Sequence, residues 1–164
     1  MWPTAEIERV CDLLLAQMGK PYAIGGIVDG KWVVRGKPGV DTADPVDFDC
    51  SGLVAWGIAQ GRDEDGRRII LPQGTYNQVK VCRPVGLPLP LDLGFADLHP
   101  PGGVVDHVVI KISDTLVIEA RSTPYNKVIT RPIAAWDKQK GFLGWWRPPG
   151  IRDNERMPAL REAV

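Results

Sequence analysis

The chain has 164 residues, enough for one domain with a core of its own; 44% are apolar and 24% charged, an ordinary globular mix. Its 20 Lys and Arg balance 20 Asp and Glu without a basic stripe, which argues against nucleic acid as a partner. No apolar run approaches membrane-spanning length, so no membrane is expected, and the odd count of three cysteines (Cys11, Cys50, Cys82) fits neither a disulfide framework nor a metal spacing.

The amino terminus lacks the basic-then-apolar pattern of a secretory signal, so the expectation is a protein made in the cytoplasm. Thr4 is the expected cap of a first helix, with Ile7, Val10, Cys11, Leu14, Leu15 and Met18 at helical spacing and Gly19 and Pro21 ending it. Cys11 lies on that stripe and reads as core. Residues 28–34 predict a hairpin around Asp29-Gly30, and residues 36–48, rich in Gly, Pro and Asp, a loop. A second helix is expected from Asp49 to Gly61 and a short third one from Thr75, as cap, to Val81. The prolines between Val85 and Gly103 forbid a long helix there. Strands follow at 107–112, 116–121, 127–131 and 141–147, and a polar tail, expected to fray, occupies 148–164. Helices first and strands after predict an α+β domain over 1–147, with N-terminal helices packed on a small antiparallel sheet.

Asp49-Cys50-Ser51-Gly52 opens the second helix. A thiol becomes a good nucleophile only as thiolate, and a helix amino terminus, with unpaired N–H groups and partial positive charge, favours the anion. Gly52 costs helix propensity but permits a close neighbour. On the tetrapeptide alone a buried structural cysteine remains an open alternative.

Of the two histidines, His99 sits in an irregular segment and is expected to be exposed. His107 opens a strand in which Val108, Ile110 and Ile112 share a face that reads as buried, while His107, Val109 and Lys111 share a more polar one. Closing the hairpin at Ser113-Asp114-Thr115 puts residue 112 opposite 116 and Glu119 on the diagonal from His107, about 7–8 Å away by backbone. A carboxylate there would orient the imidazole as the third member of a nucleophile–base–orienter set. The competing reading is a surface ion pair of Glu119 with Lys111 or Arg121.

Taken in order, Pro21-Tyr22 with Gly25-Gly26, then Asp49-Cys50-Ser51-Gly52-Leu53-Val54, then Asp106-His107 opening a strand with a polar residue twelve positions on, resemble the NlpC-type family of cell-wall cysteine peptidases. Leu71-Pro72, Tyr76-Asn77-Gln78 and Val81 resemble that family's segment after the cysteine helix. The resemblance spans about residues 4–147 and implies a papain-like fold, Cys50 as nucleophile, His107 as base and Glu119 as third polar residue. It implies Tyr22, Asp49 and Ser51 in substrate binding, and no metal or organic cofactor. It also implies hydrolysis of an amide in the peptidoglycan stem peptide, D-glutamate to the diamino acid first. Glu119 stands where the family usually has His, Asn or Gln, and the loop between Gly26 and Asp49 is longer than usual. With no leader read, the expectation extends to a phage endolysin or tail-associated hydrolase acting at the wall, with phage tail proteins as partners. A degenerate tail-tip domain without activity and a papain-fold acyltransferase are the rivals.

Asp41, Asp44, Asp47 and Asp49 invite a calcium reading, but their spacing is not that of an EF-hand loop and no bidentate Glu follows. Trp145-Trp146-Arg147 reads as core plus rim rather than a sugar-stacking surface.

Overall fold

The structure is a computed structural model, and it describes residues 1–28, 31–33, 35–99 and 102–152. Helix α1 spans Thr4–Leu15 and buries Val10, Cys11 and Leu14. Its cap is Pro3, not Thr4, which is already the first helical residue, and no side chain closes the end. Leu15 and Met18 are 43% and 49% exposed, so the buried stripe is narrower than the periodicity implied. Strands β1 (Gly26–Val28) and β2 (Lys31–Val33) form the expected hairpin, whose Asp29-Gly30 turn lies outside the described residues.

Helix α2 (Cys50–Gln60) is the centre of the domain, with nine of its eleven residues buried. A helix apolar on nearly every side must be enclosed, and here α1 crosses it at Gly57. A Cβ at Gly57 would stand 2.4 Å from the Leu14 side chain, so glycine is what lets the helices approach. Helix α3 (Thr75–Val81) follows; Gly74 precedes it as cap, and the Thr75 hydroxyl donates to Val105 O instead.

The sheet has six antiparallel strands in the order β3 (Arg83–Val85), β8 (Phe142–Arg147), β4 (Leu93–Ala96), β5 (His107–Lys111), β6 (Leu116–Arg121) and β7 (Lys127–Pro132). This is the expected α+β architecture. β3 and β4, inside the proline-rich stretch, carry too few residues to show an alternation. The hairpin register is as read from sequence, with Ile110 opposite Ile118 and Lys111 opposite Val117.

One sheet face lays Val108, Ile110, Ile118, Ala120 and Val128 into the main core with α2. The other face corrects the sequence reading. His107, Val109 and Lys111 are 7%, 0% and 6% exposed, because Trp136 on the short helix α4 (Ile133–Asp137) packs there with Trp145, Val109 and Val117. Five residues are too few for a helical period to be visible in sequence. Gly94 makes room for the Trp136 indole, whose Nε1 would lie 2.8 Å from a Cβ at that position.

Packing continues past Arg147. Ile151 is fully buried and its carbonyl accepts from Trp2 N at 2.9 Å, so the start of the expected tail belongs to the core, while residues 153–164 lie outside the described ones. Among the described residues no helix is long and apolar enough to cross a membrane.

Candidate active site

Cys50 is the first residue of α2, and several contacts fix where it points. Asp49 caps the helix: its carboxylate accepts the Gly52 amide at 2.6 Å and the Ser51 hydroxyl at 3.2 Å. Its own amide donates to Gly36 O at 2.7 Å. A Cβ at Gly52 would stand 1.9 Å from that carbonyl, and Gly36 has φ of 74° with Ala23 O against it. The two glycines together let the 35–37 segment run directly beside the start of α2. From the other side Gln78, fully buried on α3, donates to Ser51 O at 2.9 Å and to Pro72 O at 3.1 Å. The Asp49 side chain takes the Gly52 amide and not that of Cys50, which as the first amide of the helix has no intrahelical acceptor.

His107 begins β5 beside Ala96 of β4 and is 7% exposed. The Cys50 thiol is the first of the groups that raise its pKa, and its Nε2 stands 3.6 Å from Glu119 Oε2. At that separation neither Nε2 nor Oε2 has a hydrogen-bond partner, and a closure of about half an ångström would make one. The Trp136 ring lies 5.6 Å from the imidazole, centre to centre, tilted by 59°. Burial works against the imidazolium, but contact with Cys50 and then Glu119 outweighs it, and the pKa of His107 is raised to about 9.

Glu119 is fully buried. Arg121 Nη1 donates to its Oε1 at 3.2 Å, and Arg131 Nη1 lies 3.7 Å away. Burial would raise its pKa; His107, Arg121 and Arg131 together leave it below the usual carboxylate value. The surface ion pair considered for Glu119 is therefore replaced by an enclosed one, with Arg121 kept and Lys111 bonded elsewhere, to Pro88 O.

The remaining expected site residues fall around this centre. Tyr22 is half-buried and bridges to Phe48. Burial first, then the nearby charges of Cys50 and Asp49, push its phenol up to about 12. Asp49 and Ser51 are 6% and 4% exposed, with their polar atoms engaged in the cap. Burial raises the Asp49 pKa against the pull of the Gly52 amide and of Lys37, 3.5 Å away. Cys11 and Cys82 lie in the core, where burial pushes their thiols up to about 11 and about 12.

His99 is exposed as expected, but its Nδ1 is 2.6 Å from Asp106 Oδ2, and Asp106 O is 4.0 Å from Cys50 Sγ. The acid immediately before His107 was the signal for that contact. Trp136 and Arg131 had none, since each reaches the site through tertiary packing, while Gln78 lies in the segment that carried part of the resemblance. The four aspartates do not converge: Asp41 pairs with Arg68, Asp44 with Lys20, Asp47 with Arg35 and Asp49 with Lys37. Among the described residues no cluster of His, Cys, Asp and Glu could hold a metal ion. Trp145 is buried and Arg147 pairs with Asp92, the core and rim expected of that cluster.

No protein-family profile and no curated protein matches the sequence. Solved structures do. The P60 domain of an antigen from M. avium subspecies paratuberculosis is 28% identical, with 91% of this chain and 96% of that one covered and a TM-score of 0.59. The peptidoglycan hydrolase RipB from Mycobacterium tuberculosis is 27% identical over 88% of this chain and 67% of that one, TM-score 0.56. NlpC2 from Trichomonas vaginalis, at 20% identity and TM-score 0.61, shares the fold over 87% of this chain but only 46% of its own length. The chain thus spans less than half of several solved chains it matches. These named relatives come from bacteria and a protozoan, and the expected phage origin finds no support among them. In fold the chain is similar to the NlpC/P60-family domains among its structural neighbours.

Proposed function

We propose that this domain hydrolyses an amide bond in the stem peptide of peptidoglycan, with Cys50 as nucleophile, His107 as base and Glu119 as the residue that orients the base. The observation that carries this is one buried cluster: a thiol at the start of a buried helix, an imidazole whose pKa that thiol raises, and a carboxylate with no exposure 3.6 Å from the imidazole. The named hydrolase relative supports the substrate class.

The chemistry follows from the geometry. The thiolate attacks the amide carbonyl, and the oxyanion forms beside the Cys50 amide, which the Asp49 cap leaves open. The imidazolium gives its proton to the leaving amine, the acyl-enzyme forms, and water, deprotonated by His107, releases it. Glu119 holds Nε2 and compensates the imidazolium charge. Tyr22 stands next to the nucleophile where a bound peptide would pass, and Asp49 and Ser51 set the wall beside it. Nucleophile, proton carrier and charge compensation are all supplied by side chains, so no metal or organic cofactor enters the steps.

The sequence resemblance favours the bond from D-glutamate to the diamino acid, with another stem amide as second choice. Mass spectrometry of digested cell wall tests both. New free amines with intact glycan strands are expected. New reducing sugar ends without new amines would make the protein a glycosidase, whose chemistry needs paired carboxylates instead. An intact wall from the wild-type chain, with Cys50 alkylatable, would make the domain inactive on this substrate.

A further inference from the structure

The two arginines on Glu119 are not equivalent. Arg121 sits on the same strand as Glu119 and donates to its carboxylate. Arg131 comes from β7, where it pairs with Val117, and has two contacts at once. Its Nη1 is 3.7 Å from Glu119 Oε1, and its guanidinium carbon lies 5.3 Å from the centre of the Trp136 ring. That ring is the one packed on His107. Gln139, just past α4, accepts from both Nη atoms at 3.5 and 3.4 Å. Arg131 is 20% exposed by side chain, so one edge stays hydrated while the rest is enclosed.

We propose that Arg131 is a positioning residue for the thiol–imidazole pair: its edge holds the Glu119 carboxylate and its face holds Trp136 against the His107 ring. It touches neither substrate nor nucleophile and acts through Glu119 and Trp136. Lysine could supply the charge but not a flat, delocalised face that stacks on an indole while its edge meets a carboxylate. The proposal rests on the hydrolase reading only for its effect on turnover.

The charges around His107 set the sign of the test. Cys50 faces it from α2, Asp106 precedes it just before β5, Glu119 and Arg121 face it from β6, and Arg131 from β7; α4 contributes the uncharged Trp136, and Asp137 of α4 accepts from Trp145. Removing Arg131 takes away one repelling cation and leaves Glu119 less compensated. Both changes favour the imidazolium.

The chain has only two histidines, so proton NMR of the ring protons follows each of them, with a His99→Gln variant giving the assignment. In Arg131→Met the His107 midpoint is expected to rise by roughly half a pH unit, about threefold in its protonation constant, the scale of one partly hydrated cation nearby. In Arg131→Lys the midpoint stays, yet kcat on a soluble stem peptide falls about tenfold with KM held, because the flat face over Trp136 is gone. An unmoved midpoint in a folded Arg131→Met protein overturns the proposal and leaves Arg131 a structural brace. Should the Met variant not fold, wild-type kcat in Arg131→Lys overturns it. The NMR arm uses no substrate, so it stands or falls apart from the hydrolase reading.

Discussion

Glu119→Gln is the most informative single substitution, because it keeps shape and hydrogen-bonding capacity while removing one buried charge. In the wild type that charge meets three cationic groups: His107 Nε2 at 3.6 Å, Arg121 at 3.2 Å and Arg131 at 3.7 Å. The arginines are 17% and 20% exposed by side chain, so they keep some hydration when their partner is neutralised. Breaking a buried pair by removing one partner costs about 3–5 kcal/mol, and this partial hydration puts the expected loss of stability at the low end, about 3 kcal/mol. The functional effect is separate. The His107 pKa of about 9 rests on Cys50 first and Glu119 second among the groups that raise it. Losing the carboxylate is expected to lower the protonation constant of the imidazole about tenfold, which is about 1.4 kcal/mol. The alkaline limb of kcat/KM, where the imidazolium is lost, should move down in pH, and the His107 NMR midpoint with it. Glu119→Ala should lose more kcat, having neither charge nor a contact to hold Nε2. A less stable Glu119→Gln protein whose alkaline limb and midpoint are both unmoved would refute the reasoning, and Glu119 would then be only a counter-charge to two arginines.

Cys50→Ala should abolish hydrolysis with the fold retained, since the side chain is small and the cap is made by Asp49; lytic activity equal to wild type, or loss only in Cys82→Ala, would remove Cys50 from the reaction. Digestion should stop on alkylation of the thiol and persist in a chelator, and chelator sensitivity would reopen the calcium reading of Asp41–Asp49. Gly52→Ala should unfold the protein at markedly lower temperature, by more than the ~1–3 kcal/mol of ordinary overpacking, because the added Cβ would stand 1.9 Å from the Gly36 carbonyl and backbone must move; an unchanged melting temperature would show that the two segments are not in contact. Stability should also follow pH through the site. The His107 pKa is raised from 6.5 to about 9, so its contribution is complete below pH 6.5 and is lost as the pH rises through about 9. The Glu119 pKa is lowered from 4.5, so its contribution is present above that pH and is lost as the pH falls through the folded value. Calorimetry should show the site's contribution greatest between pH 4.5 and 6.5 and declining above; a melting temperature that climbs from pH 6.5 to 9 would contradict the sign for His107.

The helical and hairpin framework was readable because its signals are local. The helix start near Asp49, its stop at Gly61 and the 107–121 register all follow from residues adjacent in sequence or across one turn. The diagonal from His107 to Glu119 needs only that register, so the candidate triad is legible in the sequence. What failed was the assignment of environment. A strand alternating His107, Val109 and Lys111 looks half-polar, and nothing in β5 or β6 says that a second layer will cover it. That layer is made by Trp136 and Trp145, which come from segments 25 and 34 residues after the end of β5. Burial converts Glu119 from a plausible surface partner into a carboxylate that needs cations, and Arg121 and Arg131 meet that need. The requirement for Arg131 therefore exists only once Trp136 is in place. The same packing that hides Glu119 from water brings Arg131 to the aromatic ring beside His107, so the role proposed for it had no sequence signal of its own.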